Sequence, residues 1–124
     1  MVLGAIVLDS NDSETLSDFY ASLLGWTKER YSPEWVIVKS DDGAGTPLVF
    51  QETAKYERPV WPAQTGGQQQ MLHLDFYVDS VDAGVEHAIN CGATLSEVQL
   101  ERDWKVLLDP AGHPFCILPN KAPE

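Results

Sequence analysis

The chain has 124 residues, 44% of them hydrophobic and 22% charged, which is long enough and apolar enough to bury a core of its own. Nineteen acidic residues against eight basic ones give a formal net charge of −11 at pH 7, which argues against binding to nucleic acid or to an anionic membrane surface. No apolar run approaches the ~20 residues that a membrane-spanning helix needs. The apolar N-terminus lacks the basic region and cleavage site of a signal peptide, so we expect a strand there and a cytoplasmic location. Two cysteines, Cys91 and Cys116, are too few for a disulfide framework and are expected to be free thiols.

The first half of the chain is predicted to run strand, helix, strand, strand, strand. Asp12 is a suitable N-cap and Gly25 a suitable C-terminal glycine. Between them, apolar residues recur at the spacing of an amphipathic helix: Leu16, Phe19, Tyr20, Leu23 and Leu24. The predicted strands are LGAIVL before the helix and WTKERY, EWVIVKS and PLVFQET after it, with DDGAGT as the turn before the last.

A connector of about residues 56–70 follows, rich in Pro, Gly and Gln and without apolar periodicity. It exceeds the usual loop length of about 4 to 6 residues, and long connectors in compact domains often serve as lids or binding loops. Trp61 is its largest apolar side chain. The sequence leaves open whether Trp61 fills a gap over the core or contacts a ligand.

The second half repeats the plan of the first. A strand, MLHLDFYV, precedes a helix that Asp79 or Ser80 caps and that ends at Gly92. The expected buried stripe of this helix is Val81, Val85, Ala88 and Ile89. The later strands are TLSEVQL, DWKVLLD and PFCIL, with DPAGH as the turn between the last two. Matching elements about 67 residues apart indicate an internal duplication, so we expect one domain of two modules, about residues 1–55 and 71–120.

One predicted strand, MLHLDFYVDS, carries a row of polar side chains that we call the polar row: His73, Asp75 and Tyr77. The equivalent face of other strands holds small, polar and apolar residues, a mixture typical of a partly polar pocket: Ala5, Val7, Asp9, Val49, Gln51 and Cys116. Side chains two residues apart are spaced by about 6 to 7 Å, so we expect a water between the first two members of the row.

His73 is either a hydrogen-bonded structural histidine or a ligand or base in the pocket. Trp35 and Trp104 stand at the head of corresponding predicted strands of the two halves. These tryptophans either line the pocket or pack at the strand ends, and the sequence leaves both interpretations open.

Three stretches resemble a known family: LGAIVLDSNDSETLSDFYASLLGW, RPVWP with QQMLHLDFYVDSVDAGVEHAINCGAT, and WKVLLDPAGHPFCIL. They are similar, over nearly the whole chain, to the glyoxalase-like branch of the vicinal oxygen chelate superfamily, which includes glyoxalase I, bleomycin-resistance proteins and extradiol dioxygenases. The resemblance implies an α+β fold of two βαβββ modules, in which a curled eight-stranded mixed sheet surrounds a cleft, the helices lie on the outer face, and the protein is a homodimer. The implied modules agree with the duplication.

Metal-dependent members of that family place four ligands in the cleft, and the resemblance puts His73 at one of these positions. The corresponding position of the first module is Ala5, which has no donor atom. The two glutamate positions fall on Cys116 and on Gln51, or on Val49 if the turns are aligned instead. We therefore expect no cofactor. The alternative is a divalent metal at His73, such as zinc held together with a Cys116 thiolate.

The leading functional hypothesis is a glyoxalase-like protein that binds an unidentified small organic molecule in a Trp-lined cleft without a catalytic metal, as bleomycin-resistance proteins sequester a ligand. The candidate contacts are Gln51, His73, Asp75, Tyr77, Trp35, Trp61, Trp104 and Cys116. The alternative is a metal-dependent lyase, isomerase or dioxygenase with an atypical site built on His73, Gln51 and Cys116. Acid–base catalysis with His73 as the base, assisted by Cys116 or Tyr77, also stays open, as does a role in forming interfaces.

Overall fold

The computed structural model of the protein describes residues 1–99 and 103–120. The chain divides into two compact units, Met1–Tyr56 and Glu57–Glu124. Each unit contains one helix and one four-stranded mixed sheet. Within the described residues, no helix is long and apolar enough to cross a membrane.

The first unit has the predicted order of elements: β1 Ile6–Ser10, α1 Ser13–Leu24, β2 Thr27–Ser32, β3 Trp35–Lys39 and β4 Leu48–Glu52. In the sheet the strands lie in the order β1-β4-β3-β2. The first strand pairs parallel with the last, and the other neighbours pair antiparallel. The crossover from β1 to β4 places the first and last strands of the unit side by side.

The first helix forms where its cap signals predict. The Asp12 side chain accepts a hydrogen bond from the Thr15 backbone N–H at 3.1 Å, which satisfies one of the free donors at the helix start. The helix ends at Gly25, whose φ of 67° lies in the left-handed region that favours glycine. Tyr20 on its buried face stacks on Phe50 of the sheet, with 5.5 Å between the ring centroids. This stacking packs the apolar face of the helix against the core.

The second unit repeats the arrangement with β5 Leu74–Val78, α2 Val81–Cys91, β6 Thr94–Leu95, β7 Lys105–Leu108 and β8 Pro114–Pro119. Its strand order, β5-β8-β7-β6, matches that of the first unit position by position, including the parallel pair. The predicted α+β class and the two βαβββ modules are therefore confirmed, with four of the eight strands in each unit.

The second helix is capped by Ser80, whose hydroxyl accepts from the Ala83 backbone N–H at 3.2 Å, so the open choice between Asp79 and Ser80 is resolved. The prediction that Ile89 is buried is wrong, because 44% of this residue is exposed. At about 100° per residue, Ile89 lies roughly 80° around the helix from Val81, at the edge of the apolar stripe.

The strand predicted for TLSEVQL is much shorter than expected, since β6 covers only Thr94–Leu95. The last residue of that segment, Leu100, lies outside the described residues. The Gln99 side chain adds to the pairing at Val106: its amide donates to the Val106 carbonyl and its oxygen accepts from the Val106 N–H, both at 2.9 Å. The carbonyl also accepts from the Ser96 backbone N–H at 3.0 Å, so the backbone group that a longer β6 would have paired and that the side chain satisfies instead is the Val106 N–H.

The connector is fixed to the second unit at its start. Arg58 donates from Nη1 to the Pro110 carbonyl at 3.0 Å, and its side chain lies across Gly112 in the turn between β7 and β8. Further on, the Val60 N–H donates to the Gln68 carbonyl at 2.8 Å. The connector therefore has defined hydrogen bonds despite lacking regular secondary structure.

Candidate functional site

The side chains of β5 alternate between two faces of the strand, as the alternation of apolar and polar residues in the sequence predicts. Its apolar side is half-buried, and Phe76 packs edge-on against Phe115 of β8 with 5.7 Å between the ring centroids. Asp75 and Tyr77 lie on the other side and are exposed, Tyr77 to 55%, and His73 is exposed directly before the strand, which begins at Leu74 and not at the predicted Met71. Within the second unit, the polar row is therefore available to a ligand.

Pairing of β5 with β8 brings Cys116 next to the polar row. Asp75 and Cys116 are partners in the parallel register, and the Cys116 thiol donates a hydrogen bond to the Asp75 carboxylate. Cys116 is only 5% exposed. Burial, and then the charge and the hydrogen bond of Asp75, raise the pKa of the Cys116 thiol to about 11. At neutral pH this side chain is a protonated, weakly donating thiol.

His73 and Asp75 are in direct contact, with 3.3 Å between His73 Nε2 and Asp75 Oδ1. The expectation of an intervening water is therefore wrong, because the ends of the two side chains lie closer together than their backbone spacing indicates. Both side chains remain partly accessible, 46% for the imidazole and 42% for the carboxylate. One carboxylate thus contacts both the histidine and the cysteine.

We call His73, Asp75 and Cys116 the donor cluster. One ligand atom from each residue lies within 4.8 Å of the others. Imidazole nitrogen, carboxylate oxygen and thiol sulfur are all groups that bind transition-metal ions. All three residues are candidates from the sequence, but their contacts are not predictable from it, because the contact of Asp75 with Cys116 depends on the register of β5 and β8.

Trp35 and Gln51, which are predicted to contact a ligand, belong to the first unit. They are register partners on β3 and β4, and Gln51 also pairs with Asp9 of β1. Trp35 is 41% exposed, so its ring presents apolar surface beside a half-buried amide. The structure thus brings these two residues together within their own sheet.

The remaining tryptophans, Trp61 and Trp104, belong to the second unit and are half-buried. Trp104 directly precedes β7, as Trp35 begins the equivalent strand β3. The indole N–H of Trp61 is buried and has no hydrogen-bond acceptor among the described residues. Their contact with a ligand stays a prediction.

The four-ligand metal site that the resemblance implies does not fit the residues of this chain. Ala5 offers no donor, Gln51 offers a neutral amide, and Cys116 offers a thiol in place of a carboxylate. Such a set supplies neither the carboxylate ligands nor the base of a metal-assisted isomerase.

Comparison with known proteins identifies the family. Residues 5–118 match the profile of the glyoxalase-like domain. A search of curated proteins finds no match. Similar folds occur in a glyoxalase/bleomycin resistance protein/dioxygenase family enzyme from Burkholderia phytofirmans, at 22% identity and a TM-score of 0.70 over 96% of this chain and 98% of that one. They also occur in a glyoxalase-related enzyme from Fulvimarina pelagi, at 20% identity and a TM-score of 0.68 over 97% and 88% of the two chains.

A third similar structure is that of TnmS3, an antibiotic binding protein from a Streptomyces species, at 19% identity and a TM-score of 0.63 over 98% of this chain and 97% of that one. At these identities the structures establish the shared fold. The family profile spans nearly the whole chain, including both βαβββ modules. The chain therefore belongs to the glyoxalase-like domain family of the vicinal oxygen chelate superfamily.

Proposed function

We propose that this protein binds a small organic molecule through the side chains of the polar row, without a catalytic metal. The observation that carries the proposal is the exposure of Asp75 and Tyr77 on one side of β5 and of His73 directly before it, while Phe76 on the opposite, half-buried side packs against the buried Phe115. Exposed polar groups held on a rigid strand are preorganised for ligand binding because the strand fixes their spacing.

The chemistry of the polar row favours a ligand with a cationic or hydrogen-bond-donating group next to a ring. Asp75 offers carboxylate oxygens to such a donor, and the Tyr77 ring offers a π face two residues away. The net charge of −11 adds a long-range attraction for cations. Sequestration of the kind found in bleomycin-resistance proteins fits this chemistry, and TnmS3 is an antibiotic-binding protein of similar fold.

The experiment is an NMR screen of protein stripped of metal with a chelator. Two matched panels of aromatic compounds are used, one carrying amines and one carrying carboxylates. We expect amines to shift the backbone signals of residues 73–77 and carboxylates to leave them unchanged. Tyr77→Ala and Asp75→Asn each lower the affinity for the amine hits by at least about tenfold, the equivalent of about 1.4 kcal/mol.

Tyr31→Ala is the matched control, since Tyr31 is a comparably exposed tyrosine on β2 of the first unit. Its affinity for the hits is expected to equal that of the unmodified protein. The proposal fails if the hits shift backbone signals elsewhere in the chain and leave those of residues 73–77 unchanged. It also fails if Tyr77→Ala and Tyr31→Ala bind the hits equally well.

The second candidate function is a metal-dependent lyase, isomerase or dioxygenase with an atypical site on His73, Gln51 and Cys116. The donor cluster favours it, since two of these residues already lie close together. This candidate requires turnover that appears only after loading with a divalent ion and that Gln51→Ala abolishes. Turnover that is unaffected by Gln51→Ala contradicts this ligand set.

A further inference from the structure

The donor cluster is assembled entirely within the second unit. Asp75 lies on β5, His73 lies directly before that strand, and Cys116 lies on the neighbouring strand β8 in register with Asp75. The 3.3 Å between the imidazole nitrogen and the carboxylate oxygen already equals a normal separation between two ligands of one ion. The positions are set by a parallel strand pair, so no contribution from the first unit is needed.

We propose that His73 Nε2, an Asp75 carboxylate oxygen and Cys116 Sγ form a three-ligand site for a divalent ion of the zinc class. In a tetrahedral zinc site with bonds of about 2.0 to 2.3 Å, neighbouring ligand atoms are about 3.5 Å apart. All three atoms lie within 4.8 Å of one another, so closing around an ion requires movement of only about 1 Å by side chains. The half-exposed imidazole and carboxylate have the freedom to make that movement.

The donor types determine which ions this site takes. A sulfur and an imidazole ligand favour zinc, cobalt and similar ions over magnesium and calcium, which prefer oxygen ligands. The cysteine binds as a thiolate, so its proton passes to solvent as the metal–sulfur bond forms. Because the cluster is exposed on the side of His73 and Asp75, water takes the fourth position.

This site differs from the four-ligand centre that the resemblance implies. His73 and Cys116 stand at two of the four implied positions, but the third ligand, Asp75, stands at none of them, and Gln51 and Ala5 of the first unit take no part. The inference is also independent of the proposed organic-ligand binding, which is measured on metal-free protein. If the protein fails to bind the metal ion, its binding of organic molecules can therefore still be tested, and the reverse also holds.

The test is titration of chelator-treated, reduced protein with Co²⁺ alone. We expect one equivalent to bind and a sulfur-to-cobalt charge-transfer band to appear in the near ultraviolet. Asp75→Asn and His73→Gln, which replace exposed side chains, are each expected to weaken Co²⁺ binding by at least about tenfold, since even outer-shell partners of metal ligands contribute that much. Cys116→Ser is expected to remove the charge-transfer band.

Cys91→Ser is the matched control, because Cys91 is the other free thiol and its sulfur lies 3.9 Å from His87 Nε2 on α2. It should keep both the band and the affinity. The proposal is overturned if Cys91→Ser removes the band, or if Asp75→Asn and His73→Gln bind Co²⁺ as tightly as the unmodified protein. Circular dichroism verifies folding, and if Cys116→Ser is unfolded, the two exposed-residue variants decide the question.

Discussion

Asp75 and Cys116 stand side by side on the parallel strands β5 and β8, and the Asp75 carboxylate accepts a hydrogen bond from the buried Cys116 thiol. Burial is the larger cause of the raised pKa of Cys116, and the charge and hydrogen bond of Asp75 add to it. The same carboxylate contacts His73 at 3.3 Å. Asp75 is therefore the residue through which the exposed polar row and the buried thiol influence each other.

Asp75→Asn is expected to lower the pKa of Cys116, because removing the negative charge makes the thiolate less unfavourable. The pKa should stay above its ordinary value, since burial is unchanged. The measurement is the rate of iodoacetamide alkylation against pH in a Cys91→Ser background. Glu86→Gln on the exposed side of α2 is the control for a change in net charge. An unchanged alkylation profile in Asp75→Asn contradicts the assignment.

The raised pKa of Cys116 also predicts a loss of stability at alkaline pH. The unfolded chain releases this proton near pH 9 and the folded protein near pH 11, so the folded state binds more protons in that window. The stabilisation is complete below pH 9 and declines as the pH rises toward 11. Urea unfolding of the unmodified protein and of Cys116→Ala at several pH values isolates this contribution. A difference between the two proteins that does not vary with pH would argue against it.

Gln99→Ala is expected to destabilise the second unit by about 1 to 3 kcal/mol, because the Val106 N–H loses its acceptor, whereas the Val106 carbonyl still accepts from the Ser96 N–H. Gln99→Glu keeps the acceptor for the Val106 N–H but loses both bonds that the amide donates, to Val106 and to Ser96. Chemical denaturation measures the free energy of unfolding of both variants. Hydrogen exchange at the Val106 amide should accelerate more in Gln99→Ala than in Gln99→Glu. Equal exchange in the two variants would mean that the side chain does not protect this amide.

Gly112→Ala is expected to reduce the free energy of unfolding by about 1 to 3 kcal/mol for two reasons. Its φ of 90° is unfavourable for a side chain, and an added Cβ would lie 2.5 Å from Arg58 Cγ. A double-mutant cycle with Arg58→Ala separates the two, since truncation of Arg58 relieves the collision but not the backbone strain. An additive cycle would show that Arg58 does not lie across this turn in solution.

Asp12→Ala is expected to destabilise the first unit by about 0.5 to 2 kcal/mol, since α1 loses its N-cap. The hydrogen bonds from Thr15 hold the pKa of Asp12 below its ordinary value. This contribution is therefore present above pH 3.8 and is lost as the pH falls through the lower pKa of the folded state. Asp12→Asn, which caps without a charge, should keep most of the stability and lose the pH dependence. Thermal unfolding between pH 2 and 7 measures both effects.

The sequence by itself determines the elements of this protein and their duplication. Helix caps at Asp12 and Gly25 and the alternation along β5 are local signals, because capping and side-chain direction depend on residues close together in the chain. The same alternation places His73, Asp75 and Tyr77 on one face. Local patterns of this kind suffice to predict two βαβββ modules.

Only the tertiary structure decides which of these residues touch. The contact between Asp75 and Cys116 depends on the register of two strands 41 positions apart in sequence, and a shift of one residue would have turned Cys116 to the opposite face. The direct approach of His73 to Asp75, the hydrogen bond from the Val106 N–H to the Gln99 side chain and the raised pKa of Cys116 likewise follow from packing and burial. Sequence spacing determines which face of a strand a side chain lies on. Strand pairing determines which residues the side chain contacts, and burial together with neighbouring charges determines its pKa.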